Sequence, residues 1–385
     1  MTATPSTPPS TAPPASAAAP GPTPEPPSPV PDMLPFFCPI DSACHPQVDE
    51  VERRSLDWID HIGMCATPAE RAWAAGSNSA DFYARFAPTA DLDRLWPTAA
   101  WVYWGFSFDD GRCDEGELSR SPAGFAPMAA RVQRALEIPG ALHGDDRFAV
   151  SLHDLGERFR ALATPVQVQR FVNRHRAWLW GVQWQIGDRA RDAFPDLDGY
   201  LTMRLHSAGG EPTYAMLEIA NGGEVPAREM DSPAVCALTE MAICVDALDN
   251  DRHSYAKEAS RRQAEQNLFS VLMRQYGLTA EEAVRRGVAL RDRVLCQFLR
   301  LRERILPHGS QELRRYLLDL GHGIRGNTEW ALRAPRYLSL NGATAGPGEV
   351  PPPSPVPWAD RPSDSRDQPP PAAPSVAWWW DDLTL

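Results

Sequence analysis

Residues 232–258 read SPAVCALTEMAICVDALDNDRHSYAKE, and this segment decides the fold class. Ser232 and Pro233 place an N-cap hydroxyl directly before a proline at the first helical position. The apolar side chains that follow recur three and four positions apart, which is the spacing of an α-helix. Because residues 241–248 are apolar nearly all round, this long helix should be largely buried before it reaches Asn250.

The same helical pattern continues in both directions from this segment. Thr164 and Pro165 repeat the N-cap device at the start of another helix. Gly277 ends a helix, and Thr279 with Glu282 forms a capping box for the next one. No convincing run of alternating strand residues interrupts this pattern, so we predict an all-α, single-domain bundle of about ten to eleven helices.

Proline marks the two ends of the chain. Of the 39 prolines, fourteen lie in the first 39 residues and eleven in the last forty. We therefore predict a disordered Pro-rich tail over residues 1–32, a folded domain over residues 33–345 and a second disordered Pro-rich tail over residues 346–385. That second tail ends in the cluster Trp378–Trp380, which we expect to dock on an apolar surface because solvent disfavours exposed indoles.

Charge and cysteine usage exclude several classes of protein. The formal net charge of -12 leaves no basic surface to hold a nucleic-acid backbone or an anionic bilayer. No stretch reaches the roughly 18 apolar residues of a membrane span, and the N-terminus lacks the pattern of a signal peptide. The seven cysteines are scattered without a C-x-x-C pair. We expect a cytoplasmic protein that binds no nucleic acid and has no membrane span.

A first acidic motif lies in residues 101–115, which read WVYWGFSFDDGRCDE. Four acidic side chains end this aromatic run: Asp109, Asp110, Asp114 and Glu115. Clustered carboxylates repel one another unless a cation neutralises them, and hard oxygen ligands suit Mg²⁺. The aromatic run should be buried, so the acids are expected at the mouth of an interior cavity. The alternative is a solvated acidic helix end.

A second polar motif lies at the end of the long helix. Asn250, Ser254 and Glu258 follow one another at intervals of four residues. At about 100° per residue, three such positions stay within one stripe of a helix, so their oxygen atoms point the same way. The alternative is the polar solvent face of an amphipathic helix, but the apolar turns that precede Asn250 argue against it.

Together the two motifs resemble those of the class I terpene synthases, specifically the bacterial terpene cyclases, over nearly all of residues 36–340. The resemblance implies a helical bundle around a central cavity, in which the two motifs face each other and bind three Mg²⁺ ions with a substrate diphosphate. Asp109 matches the metal ligand of the first motif, and Asp110 and Asp114 complete it, with Glu115 as an open alternative. The metal ligands of the second motif would be Asn250, Ser254 and Glu258.

Further residues match the family outside the two motifs. Arg204 lies 46 residues before Asn250, where the family has an arginine that senses the diphosphate. By the same resemblance, Ser207 would be the linker and Ala208 the effector carbonyl at a glycine break of the helix. Arg336 and Tyr337 match the family's R-Y pair, which donates hydrogen bonds to the diphosphate.

The resemblance also implies a dry pocket that stabilises a carbocation with aromatic faces. Trp330 stands six residues before Arg336, where a cavity tryptophan is common in the family. Lys257, within the second motif, is assigned to substrate binding. The remaining candidates for the lining, for which plain core packing is the alternative, are Phe82, Phe86, Phe106 and Trp178.

The predicted function is Mg²⁺-dependent ionisation and cyclisation of a linear isoprenyl diphosphate, a small-molecule substrate, with farnesyl diphosphate as the default. Open alternatives are a C20 substrate, a methylated C10 diphosphate as in the 2-methylisoborneol-forming enzymes, and a helical binding protein whose Pro-rich ends recruit partners. The sequence leaves open whether the protein forms a homodimer. No D-x-D-D string supports protonation-initiated cyclisation, and a chain-elongating prenyltransferase would need two aspartate-rich motifs.

Overall fold

The computed structural model describes residues 34–142, 144–260, 266–338 and 358–385. Two short strands, β1 (Phe36–Phe37) and β2 (Trp358–Ala359), accompany the helices in these ranges. In chain order the helices are α1 (Val48–Ile62), α2 (Pro68–Gly76), α3 (Ser79–Phe86), α4 (Leu92–Phe108), α5 (Pro122–Glu137), α6 (Arg147–Leu162), α7 (Pro165–Ala190), α8 (Leu197–Ser207), α9 (Gly210–Asn221), α10 (Ala227–Met230), α11 (Pro233–Ser260), α12 (Leu268–Tyr276), α13 (Ala280–Ile305), α14 (Gln311–Ala331) and α15 (Pro335–Leu338). The all-α prediction is confirmed. The predicted disorder of residues 1–32 lies outside the described residues.

Local capping signals place the helix ends where the sequence predicts them. Ser232 accepts a hydrogen bond from the backbone N–H of Val235 at 3.3 Å, at the start of α11. Reciprocal capping boxes open α7 and α13. Gly277 ends α12 in the left-handed conformation, with φ of 63°. The described residues form more helices than the ten or eleven predicted: fifteen in all, and thirteen without the one-turn segments α10 and α15.

Two helices of the bundle carry the acidic and polar motifs. α4 packs against α1, α3, α6 and α9, and α11 packs against α8, α13 and α14. α7 packs against both α8 and α9, so these two helices lie between α7 and the motif-bearing helices. Within the described ranges, no helix combines the length and the apolar character that a membrane crossing requires.

The C-terminal segment, residues 358–385, is packed against the helices. β2 pairs in parallel with β1, which joins this segment to the N-terminal end of the described chain. Arg293 of α13 donates a hydrogen bond from Nε to Asp364 Oδ2 at 2.8 Å, and both side chains are buried. The expectation of disorder beyond residue 346 is therefore wrong for residues 358–385, because strand pairing, the buried Arg293–Asp364 ion pair and the docked Trp379 offset the entropic cost of ordering the segment.

The tryptophan cluster docks as expected. Trp379 has 0% of its surface exposed, and its Nε1 donates a hydrogen bond to Glu240 Oε2 of α11 at 2.8 Å. Gln297 of α13 donates from Nε2 to the carbonyl oxygen of Trp379 at 2.8 Å. Trp378 and Trp380 are partly buried against the core. The indole of Trp379 thus ties the chain end to the helix that carries Asn250.

Gly181 lets the end of α8 pack closely against α7. A Cβ atom at Gly181 would lie 2.5 Å from His206 Cβ and 2.6 Å from the backbone nitrogen of Ser207, and real Cβ atoms essentially never come so close. Gly210, the first residue of α9, similarly packs on Ile243 of α11, where a Cβ would meet a side-chain atom at 2.8 Å. The break between α8 and α9 is therefore held on both sides by backbone that carries no side chain.

Replacing Trp379 with alanine tests the packing of the C-terminal segment. We expect Trp379→Ala to lower the free energy of unfolding by about 3–5 kcal/mol, because it opens a cavity and leaves the Glu240 carboxylate without its indole donor. Trp180→Ala is the matched control: Trp180 is 61% exposed, so its loss should change stability by less than about 0.5 kcal/mol. Denaturant unfolding measures both, and equal effects would contradict the docked position of Trp379.

Two glycines of α7 form a matched pair for testing the close approach of α8. We expect Gly181→Ala to lower the free energy of unfolding by about 1–3 kcal/mol, because the added methyl group has no room. A Cβ at Gly187 would meet nothing within 4 Å, so Gly187→Ala should stabilise the helix by up to about 1 kcal/mol. Thermal melts of the two variants provide the comparison, and a neutral Gly181→Ala would show that α8 does not press on α7.

Candidate active site

A cavity of about 200 Å³ lies between α4, α8, α9, α11 and α14. Every site residue predicted from the sequence lines it except Lys257, whose side chain lies outside the described part of the structure. Those that line it are Phe82, Phe86, Phe106, Asp109, Asp110, Asp114, Arg204, Ser207, Ala208, Asn250, Ser254, Glu258, Trp330, Arg336 and Tyr337. Glu115 and Trp178 line the same cavity.

The aspartate-rich motif forms a π-helical turn, Asp109–Asp114, that continues α4. Such wide turns are frequent at functional sites. Asp110 accepts two hydrogen bonds from Arg336, each 3.0 Å long, and one from Trp73 Nε1 at 2.7 Å. Asp114 accepts a hydrogen bond from Arg189 Nη2 at 2.7 Å. Two of the three aspartates are thus paired with guanidinium groups.

Asp109 carries the electrostatic cost of this cluster. Burial, together with the neighbouring carboxylates of Asp114 and Asp110, raises the pKa of Asp109 to about 8. Arg336 and Arg189 lower the pKa only in part. A cation bound at this carboxyl would offset the like charges that now favour its protonated form.

The second motif lies on the last turns of α11. The side-chain oxygen of Asn250 accepts a hydrogen bond from Arg204 Nη2 at 2.8 Å, and its Nδ2 donates to Tyr337 Oη at 2.7 Å. Glu258 accepts a hydrogen bond from Asn267 Nδ2 at 3.1 Å. Burial raises the pKa of Glu258 to about 7, helped by Asp251, with Arg204 among the groups that lower it. Glu258 therefore resembles Asp109, a buried carboxyl short of positive charge.

The mouth network, defined here as Asp110, Arg336, Tyr337, Asn250 and Arg204, connects the two motifs. Arg336 binds Asp110 of the first motif, and the adjacent Tyr337 accepts from Asn250 of the second. Arg204 completes the network on the far side of Asn250. Two segments about 140 residues apart in the chain are in this way joined by the R-Y pair of α15.

Two members of the site were missed in the sequence. Asp251 is 2% exposed and accepts hydrogen bonds from Arg204, from the Tyr200 hydroxyl and from the Leu268 backbone N–H. Asp251 positions the guanidinium of Arg204. Its place directly after Asn250 is the signal in the sequence that could have identified it. Arg189 of α7 lines the cavity and binds Asp114, and no spacing pattern in the sequence marks it.

The helix break predicted after Arg204 is present. α8 ends at Ser207, Gly209 adopts the left-handed conformation with φ of 74°, and α9 starts at Gly210. Ala208 thus lies in the break and, like Ser207, faces the cavity. The buried hydroxyl oxygen of Ser207 has no hydrogen-bond partner among the described residues.

Aromatic rings form another part of the cavity wall, which begins beside the mouth, where the Arg336 guanidinium lies 4.5 Å from the centroid of the Phe106 ring. Phe106 stacks on Trp330 with ring centroids 5.4 Å apart, and Phe82 meets the edge of Trp330 at 4.8 Å. Phe86 lies against Phe82 at 4.3 Å. The Trp330 ring is fixed by a hydrogen bond from its Nε1 to the Ser77 carbonyl at 2.9 Å. A ring face in a water-poor cavity attracts a cation, so this wall suits positive charge better than a nucleophile.

The donor set at the mouth fits a hard divalent cation such as Mg²⁺. It consists of the carboxylates of Asp109, Asp110, Asp114 and Glu258, the amide of Asn250 and the hydroxyl of Ser254. In the described ranges, no three acidic, histidine or cysteine side chains are grouped so that they could hold an ion by themselves. A cation here would be shared between a few protein oxygens and the oxygens of a bound phosphate, which is how Mg²⁺ is commonly held.

Comparison with known proteins agrees with this geometry. A family model described as "Terpene synthase family 2, C-terminal metal binding" matches residues 100–297. Spiroviolene synthase of Streptomyces violens is 53% identical over 358 residues, which cover 92% of this chain and 98% of that one. Phomopsene synthase of Allokutzneria albata is 36% identical over 348 residues, covering 90% and 96% of the two chains.

Solved structures agree in fold. The crystal structure of the SVS_A2 protein from ancestral sequence reconstruction shares 55% identity and a TM-score of 0.82, covering 91% of this chain and 99% of that one. The structure of a-eudesmol synthase, at 22% identity, has the same fold with a TM-score of 0.69. With a cavity that gathers both motifs and relatives matched along nearly their whole length, this chain belongs to the terpene synthase family and is a terpene cyclase.

Proposed function

We propose that this cyclase ionises a linear isoprenyl diphosphate with the help of Mg²⁺, folds the resulting cation into a ring system and releases inorganic diphosphate. One observation carries the proposal: two oxygen-donor motifs and the donors of Arg204, Arg336 and Tyr337 share the mouth of a cavity whose other walls are largely aromatic. Such a division supports a site in which the diphosphate would lie at the mouth and the hydrocarbon among the rings.

The polar mouth would hold the metal ions and the diphosphate. Asp109 with Asp110 and Asp114 on one side, and Asn250, Ser254 and Glu258 on the other, would bind three Mg²⁺ ions. When bound, these ions neutralise the diphosphate and make it a better leaving group. Arg336 and Arg204 now pair with side-chain oxygens of Asp110 and Asn250, so an arriving diphosphate would find both guanidinium groups at the mouth. A contact of Lys257 with the substrate remains a prediction.

Ionisation would break the bond between the allylic carbon and the diphosphate oxygen, and both electrons of that bond would leave with the oxygen. The α8–α9 break lies beside this event, and both Ser207 and Ala208 line the cavity. An electron-rich carbonyl at the break would stabilise the positive charge that develops on the allylic carbon as the diphosphate leaves. Arg204, one turn earlier on α8, would link diphosphate binding to the position of this break.

The cation would then be kept from water and guided by ring faces. Phe82, Phe86, Phe106 and Trp330 form one continuous aromatic wall. Trp178, at 5.9 Å from the Trp101 ring, belongs to a second aromatic group on the cavity. Rings held rigidly in this way stabilise charge at defined positions and do not attack it.

We propose a C20 diphosphate as the lead substrate, with farnesyl diphosphate as the second candidate. The names of relatives include both substrate lengths. A 28% identical relative is named a diterpene cyclase, and a 32% identical one is named for cyclising farnesyl diphosphate. Small residues on the cavity wall favour the longer chain because they leave it room: Gly105, Ala208, Gly209 and Ala247. The cavity also continues to Ile243, seven residues and about 10 Å along α11 from Asn250.

A cytoplasmic location is part of the same proposal. The seven cysteines, all within the described residues, are free thiols in this structure. Free thiols persist in reducing compartments, which supports the cytoplasm.

Replacing Glu258 with glutamine tests the metal site. Glu258→Gln keeps the shape but removes a hard anionic ligand, so Mg²⁺-dependent release of diphosphate should fall on the order of 100-fold or more while the fold survives. Glu303→Gln, at an exposed position on α13, is the matched control and should keep wild-type turnover. Colorimetric diphosphate assays with and without Mg²⁺, alongside circular dichroism, give the readout. A fully active Glu258→Gln enzyme would remove this residue from the metal site.

Narrowing the cavity at Gly105 tests the substrate length. Gly105 lines the cavity. A Cβ there would be in ordinary contact with the Trp101 ring, at 3.7 Å, so a larger side chain would occupy cavity space. We expect Gly105→Leu to lower turnover of the C20 diphosphate at least about tenfold more than turnover of farnesyl diphosphate. Gly187→Leu, where a Cβ meets open space, should leave the ratio unchanged. Gas chromatography of products from both substrates measures it, and a wild-type enzyme that accepts only farnesyl diphosphate would put the C15 chain first.

A further inference from the structure

A carboxyl group lies in the cavity away from the metal motifs. Asp246 of α11 lines the cavity four residues before Asn250, which places it about 6 Å deeper along the helix. The hydroxyl of Tyr214, on α9, donates a hydrogen bond to Asp246 Oδ2 at 2.6 Å. Nothing in the binding or departure of the diphosphate uses this pair.

The pair is built into the protein rather than left at its surface. Tyr214 has 0% exposure and packs against Phe86 with ring centroids 5.3 Å apart. Its hydroxyl has room only because residue 323 is glycine, where a Cβ would lie 2.6 Å from that oxygen. The other carboxyl oxygen, Asp246 Oδ1, is buried without a hydrogen-bond partner among the described residues. A half-satisfied buried carboxyl costs stability, so a role in the reaction would account for its presence.

The surroundings make the Asp246 carboxylate a strong base. Burial raises its pKa well above the ordinary value, and Asp249, one turn along α11, raises it further. The Tyr214 hydrogen bond and the more distant Arg291, which is ion-paired with Asp249 at 2.7 Å, lower it in part. From α14, Asn327 contacts only the backbone carbonyl of Asp246, at 3.2 Å. A carboxylate formed here binds a proton tightly, and a positive charge in the cavity favours that carboxylate.

We propose that Asp246, oriented by Tyr214, is the catalytic base that ends the cation sequence, an inference that rests on the proposed function. The C–H bond next to the cationic carbon breaks, and its electron pair forms the new carbon–carbon double bond. Asp246 enters the reaction as the carboxylate, its own proton having passed to solvent before the substrate fills the cavity. It then takes the proton of the broken C–H bond on a carboxyl oxygen and releases it to solvent when the cavity opens. The hydrogen bond from Tyr214 holds the carboxylate in place, so that it meets hydrogen atoms rather than bonding to the cation itself.

The position of the base then determines which hydrogen is lost. Each ring closure of the cation brings a different C–H bond toward each wall of the cavity. In the proposed scheme, only the wall formed by α11 carries the base, Asp246. Asp246 is therefore expected to affect the identity of the product more than the rate at which diphosphate leaves, because ionisation takes place about one helical turn away.

The test is the product profile of Asp246→Asn, whose amide oxygen can still accept from Tyr214. We expect the share of the main hydrocarbon to fall at least about tenfold, while diphosphate release falls several-fold at most. Hydrocarbons that lose a different hydrogen, or alcohols formed by water capture, should replace it. Asp319→Asn is the matched control, since Asp319 is a buried carboxyl, bound by Asn221 at 2.7 Å, that does not line the cavity. It should leave the profile unchanged.

The outcomes separate the two proposals. A wild-type enzyme that releases no diphosphate from C15 or C20 substrates would overturn the proposed function. An active wild type with the same product ratios as Asp246→Asn would overturn the role of Asp246. If Asp246→Asn does not fold, as judged by its thermal melt, Tyr214→Phe decides: a shifted profile at wild-type melting temperature supports the base, and an unchanged profile overturns it.

Discussion

Carboxyl groups that are buried together need positive charge nearby, and the cavity mouth is arranged around this requirement. Asp109, Asp110 and Asp114 occupy a single wide helical turn, so Asp110 and Asp114 raise the cost of ionising Asp109. Arg336 and Arg189 offset part of that cost through direct ion pairs. The remainder falls on Asp109, and across the cavity burial and Asp251 raise the pKa of Glu258 as well. A site whose negative charge is only partly balanced by arginines is suited to bind cations together with a phosphate ligand.

The same two helices serve both halves of the site. α4 and α11 each run from the aromatic or aliphatic interior to the polar mouth, so the order of residues along each helix sets the depth of each group. On α4, Trp101 and Phe106 precede Asp109, and on α11, Ile243 precedes Asn250. Charge is therefore kept at one end of the cavity. Asp246 is a carboxyl that departs from this order, and its buried partner Tyr214 shows that the departure is structured.

Close packing at a distance from the chemistry holds the reacting parts in place. The α8–α9 break presses against Gly181 of α7 and against Ile243 of α11. On the outer side, the C-terminal segment binds α11 and α8. Trp379 donates a hydrogen bond to Glu240 of α11, and the Ser375 backbone N–H donates one to Asp198 of α8 at 2.9 Å. The chain end thus braces the helices that carry Arg204 and Asn250.

Local signals in the sequence predicted the helices and both motifs. Capping residues, apolar spacing and the four-residue intervals of Asn250, Ser254 and Glu258 act over one or two helical turns, so they are readable without knowledge of the fold. The break after Ser207 was readable for the same reason, because two glycines follow within three residues. Within the described residues, composition misled where residues 358–385 gain order from contacts with other parts of the chain.

The tertiary structure alone decided which distant groups meet. Arg189 faces Asp114 from a helix about 75 residues away, Asp110 receives Arg336 from about 226 residues away, and Tyr214 finds Asp246 across two helices. No periodicity marks such partners, because the energy of an ion pair or a buried hydrogen bond depends on separation in space and not along the chain. The sequence by itself therefore determined the helices and the donor sets that they carry, whereas the folded bundle decided how charge is balanced and where the Asp246–Tyr214 pair lies.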